Sequence, residues 1–171
     1  MTSDDRLIET STLNYADMPR ANELCERLGL SKGGPYLAEL LTFAGPWCRL
    51  GVDITTHQAV GIVLASPGSM HTDSARSRPW DDDQVLDEPD SIIVHDVMAV
   101  DDEAALMLLS QTASRASGAG YEAICFVENQ TTQWWIDLIE AELLSRHHGQ
   151  LRRGVLDVPE LGAVGHWVDF E

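Results

Sequence analysis

Three consecutive textures stand out between Ser91 and Asn129: SIIVHDVMAV, DDEAALMLLSQTASRASGAG and YEAICFVEN. The first and third are rich in Ile, Val, Cys and Phe, while the second is Ala/Leu-rich and long enough for a helix. Strand, helix and strand within about forty residues predict a βαβ unit with two neighbouring parallel strands. The helix opens on Asp101-Asp102-Glu103, three carboxylates in its first turn.

Upstream, Arg6–Leu13 reads as a strand. Asp17 before Met18-Pro19 reads as a helix start, with Leu24, Cys25 and Leu28 turned inward and Gly29 as the stop. Gly33-Gly34-Pro35 opens a second helix that carries Leu37, Leu40 and Leu41 on one side and ends near Gly45. Trp47–Ile54 and Ala59–Ala65 form a predicted hairpin across Thr55-Thr56-His57-Gln58. Pro67–Pro89 is Ser-, Asp- and Pro-rich, a loop of unusual length for a compact domain. Downstream, Thr131 or Thr132 caps a helix running to about His148, with Trp135, Ile139 and Leu143 at i, i+4 spacing and Gly149 as its stop. Gln150–Val158 and Val164–Phe170 close the chain as an antiparallel hairpin.

At 171 residues, with 44% hydrophobic residues and five Trp, the chain fits a single globular domain spanning 1–171. Cys25, Cys48 and Cys125 are scattered without a CxxC pair, which predicts reduced structural thiols and a cytoplasmic protein. No apolar run approaches a membrane span, and no signal-peptide pattern opens the sequence. The net charge is −17, and residues 78–103 carry ten acidic groups against one basic, hence −9 of it. Such a surface argues against direct nucleic-acid or anionic-membrane binding and for a cationic partner, or simply for solubility. The acidic stretch at 67–90 lacks the alternating oxygens and central Gly of a calcium loop. His147 and His148 diverge by about 100° on a helix and do not chelate one ion together, so no metal is expected.

The element order β-α-α-β-β-β-α-β-α-β-β resembles that of the GNAT superfamily, the Gcn5-related N-acetyltransferases, over the whole chain. The resemblance rests on order, length and texture, with Glu128-Asn129 similar to the family's frequent Asn at that strand end. It implies an α/β fold with a mixed central sheet flanked by helices, and acetyl-CoA or another acyl-CoA as cofactor. It places the cofactor along Val97, Met98 and Val100, with Asn129 on the neighbouring strand. It also implies transfer of the acyl group to an amine, a cationic acceptor in keeping with the acidic surface. His95, Asp96 and Glu128 are the candidate bases that would take the amine's proton. His95 and Asp96, adjacent on a strand, are expected to point to opposite faces and form no local dyad.

Two family features are absent. The Arg/Gln-x-x-Gly-x-Gly/Ala turn, whose backbone amides meet the pyrophosphate at a helix N-terminus, is replaced by Asp101-Asp102-Glu103-Ala104-Ala105. The tyrosine acid of the next helix is missing, and Trp134-Trp135-Ile136 stands in its neighbourhood. A second function therefore stands beside the first: a non-catalytic acidic protein of the same fold that docks a basic protein, as inhibitor, immunity factor or mimic of nucleic-acid charge.

Overall fold

The computed structural model describes residues 6–30, 37–38, 41, 45–68, 91–127, 134–135, 138, 150–156 and 163–170, with 150–156 and 163–167 described as strands only. The chain opens with β1 (Ile8–Thr12), followed by α1 (Met18–Arg27), β2 (Arg49–Asp53), β3 (Ala59–Pro67) and β4 (Ser91–Ala99). Helix α2 (Asp102–Gly118) and strands β5 (Ala123–Val127), β6 (Gln150–Leu156) and β7 (Ala163–Asp169) complete it. All seven strands form one sheet in the order β1-β2-β3-β4-β5-β7-β6. Among the described strands only the β4–β5 pair is parallel; the other pairs are antiparallel. The mixed sheet, the βαβ unit and the closing hairpin are thus as the sequence predicts.

Two apolar clusters cover the two faces of the sheet. On the α2 side, Val63, Ala65, Ile92, Val94, Val97, Ile124 and Phe126 meet Ala104, Ala105, Leu108, Leu109, Ala113 and Ala116. On the other side, Leu50, Ile62, Leu64 and Met98 meet Ala21, Leu24 and Cys25 of α1, together with Leu37 and Leu41. Every residue of β4 is buried, as expected of a central strand covered on both faces. Leu37, Ala38 and Leu41 are helical, in keeping with the second helix; the remainder of that helix, the helix proposed from Thr131 to His148 apart from Trp134, Trp135 and Leu138, and the 69–90 stretch lie outside the described residues.

Local signals place the helix ends, with one correction. Gly29 takes a positive φ of 69°, and Gly29 N–H reaches Glu26 O while Leu30 N–H reaches Cys25 O, the paired bonds that close a helix on a glycine. Asp17 precedes α1 but makes no side-chain cap. Its carboxylate instead accepts from Asn14 N–H at 3.1 Å, and Asn14 Oδ1 accepts from Ala16 N–H at 2.9 Å. The cap lies one short 3-10 turn earlier than expected, because Tyr15–Asp17 is itself helical.

Helix α2 sits close on β2 and β3 because glycines face it. A Cβ added to Gly61 would lie 2.6 Å from Leu108 Cδ1, and one on Gly51 would lie 3.6 Å from the same atom. Gly61→Ala therefore forces a buried leucine to move and is expected to destabilise the protein by about 1–3 kcal/mol. In a Leu108→Ala background the same substitution should cost much less. Urea unfolding of the four proteins of this cycle measures the coupling, and equal costs in both backgrounds would refute the close-approach explanation.

Candidate functional site

The parallel ladder between β4 and β5 is short. It pairs Ser91 with Ala123 through Val94 with Phe126, and β4 then runs on to Ala99 without that partner. On the other edge β4 stays paired with β3, with Met98 opposite Ile62 and Asp96 opposite Leu64. Val100 N–H reaches Val60 O at 2.9 Å. Bonded pairs alternate along an antiparallel ladder, so the polar groups of Asp96 and Met98 point at β3. Those of Val97 and Ala99 therefore point away from it, to the β5 side. Beyond Val94 this edge of β4 carries backbone donors and acceptors that an extended, amide-bearing ligand could meet as a strand would.

One of these acceptors is taken. Trp135 Nε1 donates to Val97 O at 3.2 Å, and the indole packs in the α2-side cluster. Trp135 thus serves both the core and the β4 backbone, whereas its neighbour Trp134 is 45% exposed. The other predicted cofactor-lining residues divide by face. Met98 is buried on the α1 side, 3.7 Å from the Cys25 thiol, and Val100 is 38% exposed between β4 and α2. Asn129 and Glu128 lie outside the described residues.

The expectation that His95 and Asp96 face opposite ways is overturned. The β3–β4 register shifts between Leu64 and Ala65, which pair with Asp96 and Val94, leaving His95 as an extra residue on β4. Such a bulge resets the alternation of side chains. Val94 and Val97 both pack on the α2 side; Asp96 shares the face of its partner Leu64 on the α1 side. His95 Nε2 and Ser66 Oγ share a 2.6 Å hydrogen bond. Ser66, two residues beyond Leu64 on β3, is on the α1 face as well. His95, Asp96 and Ser66 are all buried and all on one side of the sheet. Ser66 was not singled out in the sequence, since only the cross-strand register reveals it.

The acidic start of α2 also has a partner invisible in the local sequence. Arg6 grips Asp101 with both terminal nitrogens, at 2.6 and 2.9 Å, and lies 3.8 Å from Glu103. Asp101 Oδ1 also accepts from Ala104 N–H at 2.9 Å, so one carboxylate both caps the helix and pairs with the arginine. These bonds, the guanidinium first, hold the Asp101 carboxyl below its ordinary range, against a smaller opposing effect of burial. The first of the three carboxylates is therefore a paired, internally satisfied cap, while Asp102 and Glu103 keep the helix N-terminus acidic.

Cys25, Cys48 and Cys125 form no disulfide and are buried, as expected of structural thiols. Burial pushes the Cys48 thiol up to about 11, which makes it a poor nucleophile. Among the described residues, no group of three His, Cys, Asp or Glu side chains is placed to hold a metal ion. No helix among the described residues is long and apolar enough to cross a membrane.

The mixed seven-stranded sheet with its parallel β4–β5 pair is similar to that of GNAT acetyltransferases, and solved structures of that class superpose on it. The chain is similar to the diaminobutyrate acetyltransferase of Paenibacillus lautus, solved with L-2,4-diaminobutyric acid and coenzyme A: TM-score 0.66, 15% identity, covering 96% of this chain and 95% of that one. It is similar to Ard1 of Thermoplasma volcanium, with TM-score 0.61, 9% identity and 96% and 98% coverage. It is also similar to a GNAT-family acetyltransferase of Staphylococcus aureus Mu50, with TM-score 0.58, 10% identity and 96% and 100% coverage. The fold is therefore that of the GNAT superfamily, at a level of identity that speaks for fold alone. No protein-family model matches the sequence, and no curated protein matches it by sequence.

Two outcomes test this geometry. The Asp101 carboxyl is depressed in the folded state, so the stability it contributes is present above its ordinary range and is lost as pH falls through its folded value. Arg6→Gln should destabilise the wild type by about 0.5–1 kcal/mol at pH 7, a modest figure because water screens the half-exposed pair. That difference should shrink below about pH 4; thermal melts across pH 2.5–7 measure it, and a pH-independent difference refutes the pairing. Trp135→Phe leaves the Val97 carbonyl without its indole donor and should cost about 1 kcal/mol in urea unfolding.

Proposed function

We propose that the protein is a divergent N-acyltransferase that moves an acyl group from an acyl-CoA thioester to an amine. The observation that carries the reading is the β4–β5 ladder, which among the described residues ends at Val94 and leaves the backbone of Val97 and Ala99 facing the β5 side. The amide-bearing arm of coenzyme A suits such an edge, since its N–H and C=O groups can complete it. Support comes from the similar P. lautus enzyme, which was solved with coenzyme A and an amine substrate. Val97, Met98 and Val100, with Asn129, are the proposed cofactor-binding residues.

In the proposed reaction the amine nitrogen attacks the thioester carbon, the C–S bond breaks, and coenzyme A leaves as the thiolate. The amine must first lose a proton, and His95 is the proposed base. Its bond to Ser66 fixes the ring, and the bulge places the Asp96 carboxylate on the same face of the sheet. A carboxylate on that face favours a cationic amine and the imidazolium formed when His95 takes the proton. Glu128 remains a second candidate base. The net charge of −17 favours encounter with a cationic acceptor.

A second reading, the non-catalytic acidic protein that docks a basic partner, is favoured by one set of contacts. The groups a cofactor would use are already occupied, Val97 O by Trp135 and Ala104 N–H by Asp101.

Calorimetry with acetyl-CoA and longer acyl-CoAs separates the two. The enzyme reading expects saturable binding, and thiol release with small diamines or polyamines as acceptors. No heat and no thermal shift at millimolar acyl-CoA would sink it. His95→Gln should lower turnover by roughly a hundredfold or more while leaving acetyl-CoA affinity within about twofold. Unchanged turnover would remove His95 as the base.

A further inference from the structure

A second constellation lies on the α2 side of the sheet, with no part in the reading above. Arg49 begins β2 and Arg115 lies in the last turn of α2. The Arg115 guanidinium carbon sits 5.7 Å from the centre of the Trp47 ring, and Trp47 meets Tyr121 edge-on at 5.5 Å. Arg49 Nη1 donates to Thr12 Oγ1 at 3.2 Å and Nη2 to Thr10 Oγ1 at 3.4 Å. Thr10 Oγ1 in turn bonds Gln111 Oε1 at 2.5 Å. Arg49 Nε is buried with no hydrogen-bond partner.

These two arginines are unusual for this chain. It holds 28 acidic residues against 11 basic, yet among the described residues the ion pairs belong to Arg6, and neither Arg49 nor Arg115 meets a carboxylate. Burial and the nearby Arg115 charge both act against the protonated form of Arg49. Thr10 links Arg49 to Gln111, which stands one turn before Arg115 on the same face of α2, so the two guanidiniums lie on one side of the helix and one bound anion would balance both.

We propose that Arg49 and Arg115 form a binding site for a small oxyanion, a phosphate group, where α2 packs beside β1 and β2. The guanidiniums supply planar forks of donors suited to phosphate oxygens, Trp47 holds Arg115 in place, and Gln111 with the two threonines lines the side. The ligand is small: a long polyanion would meet the −17 charge of the whole molecule, whereas one phosphate meets two local positive charges. The site is separate from the β5-side edge of β4. Arg115 lies thirteen residues along α2 from Asp102, about 20 Å along the helix axis.

Titration with inorganic phosphate tests the site, read by the Arg Nε–H resonances in nitrogen-15 spectra and by the thermal midpoint, against sodium chloride at matched ionic strength. Saturable shifts of Arg49 and Arg115 and a raised midpoint with phosphate alone are expected. Arg49→Gln and Arg115→Gln should each weaken binding roughly tenfold. Arg115 is exposed, so its variant should fold; circular dichroism checks both, and Arg115→Gln decides if Arg49→Gln does not fold. An identical response to chloride, or saturable binding that survives in the double variant, overturns the proposal. Because neither readout uses acyl-CoA, failure here leaves the transferase reading untouched, and the reverse also holds.

Discussion

The structure depends on β4, a nine-residue strand buried on both faces. A strand buried on both faces must still satisfy its backbone on both edges. β3 does so along one edge for the whole of β4. Along the other edge, among the described residues, β5 pairs with Ser91 through Val94, and a side chain meets the strand beyond them. That side chain is Trp135, through its indole N–H, which is why an aromatic side chain packed in the core is also a backbone hydrogen-bond donor.

The bulge at His95 belongs to the same stretch of β4. Without it, strict alternation would put His95 and Asp96 on opposite faces and the β4 side chains past it out of phase with the α2 core. With it, Val97 and Ala99 return to the α2 side and Met98 to the α1 side. The extra residue thus keeps both cores filled while moving two ionisable side chains to one face. A polar pair in such a place needs a partner, and Ser66, reached diagonally across β3, is the partner of His95.

Much of this was legible in the sequence, because most of it is periodicity. Apolar runs bounded by turn residues located the seven strands, and an acidic helix start followed by Ala and Leu located α2. What the sequence hid are pairings between distant segments. Arg6 and Asp101 are 95 positions apart, and nothing in the polar start of the chain marks an arginine destined for a helix cap. The bulge was equally hidden, since one extra residue leaves no local mark in a strand whose every side chain is buried. The capping turn before α1 was misplaced for a simpler reason: Asn14 and Asp17 are both good caps, and the chain uses both in one short turn. Arg49 and Arg115 were unreadable as a pair, because like charges brought together by folding follow no spacing rule.

Arg6, Asp101 and Trp135 together change the meaning of the acidic helix start. Read locally, three carboxylates repel a diphosphate. In the folded chain, Asp101 fills the Ala104 amide and Arg6 balances Asp101, just as Trp135 fills the Val97 carbonyl. Two polar groups near the β5-side edge of β4 are therefore met within the chain. A ligand that uses them exchanges one set of hydrogen bonds for another, and exchange contributes far less than the filling of unmet donors and acceptors. Such a binder gains only the difference between its own bonds and those it displaces.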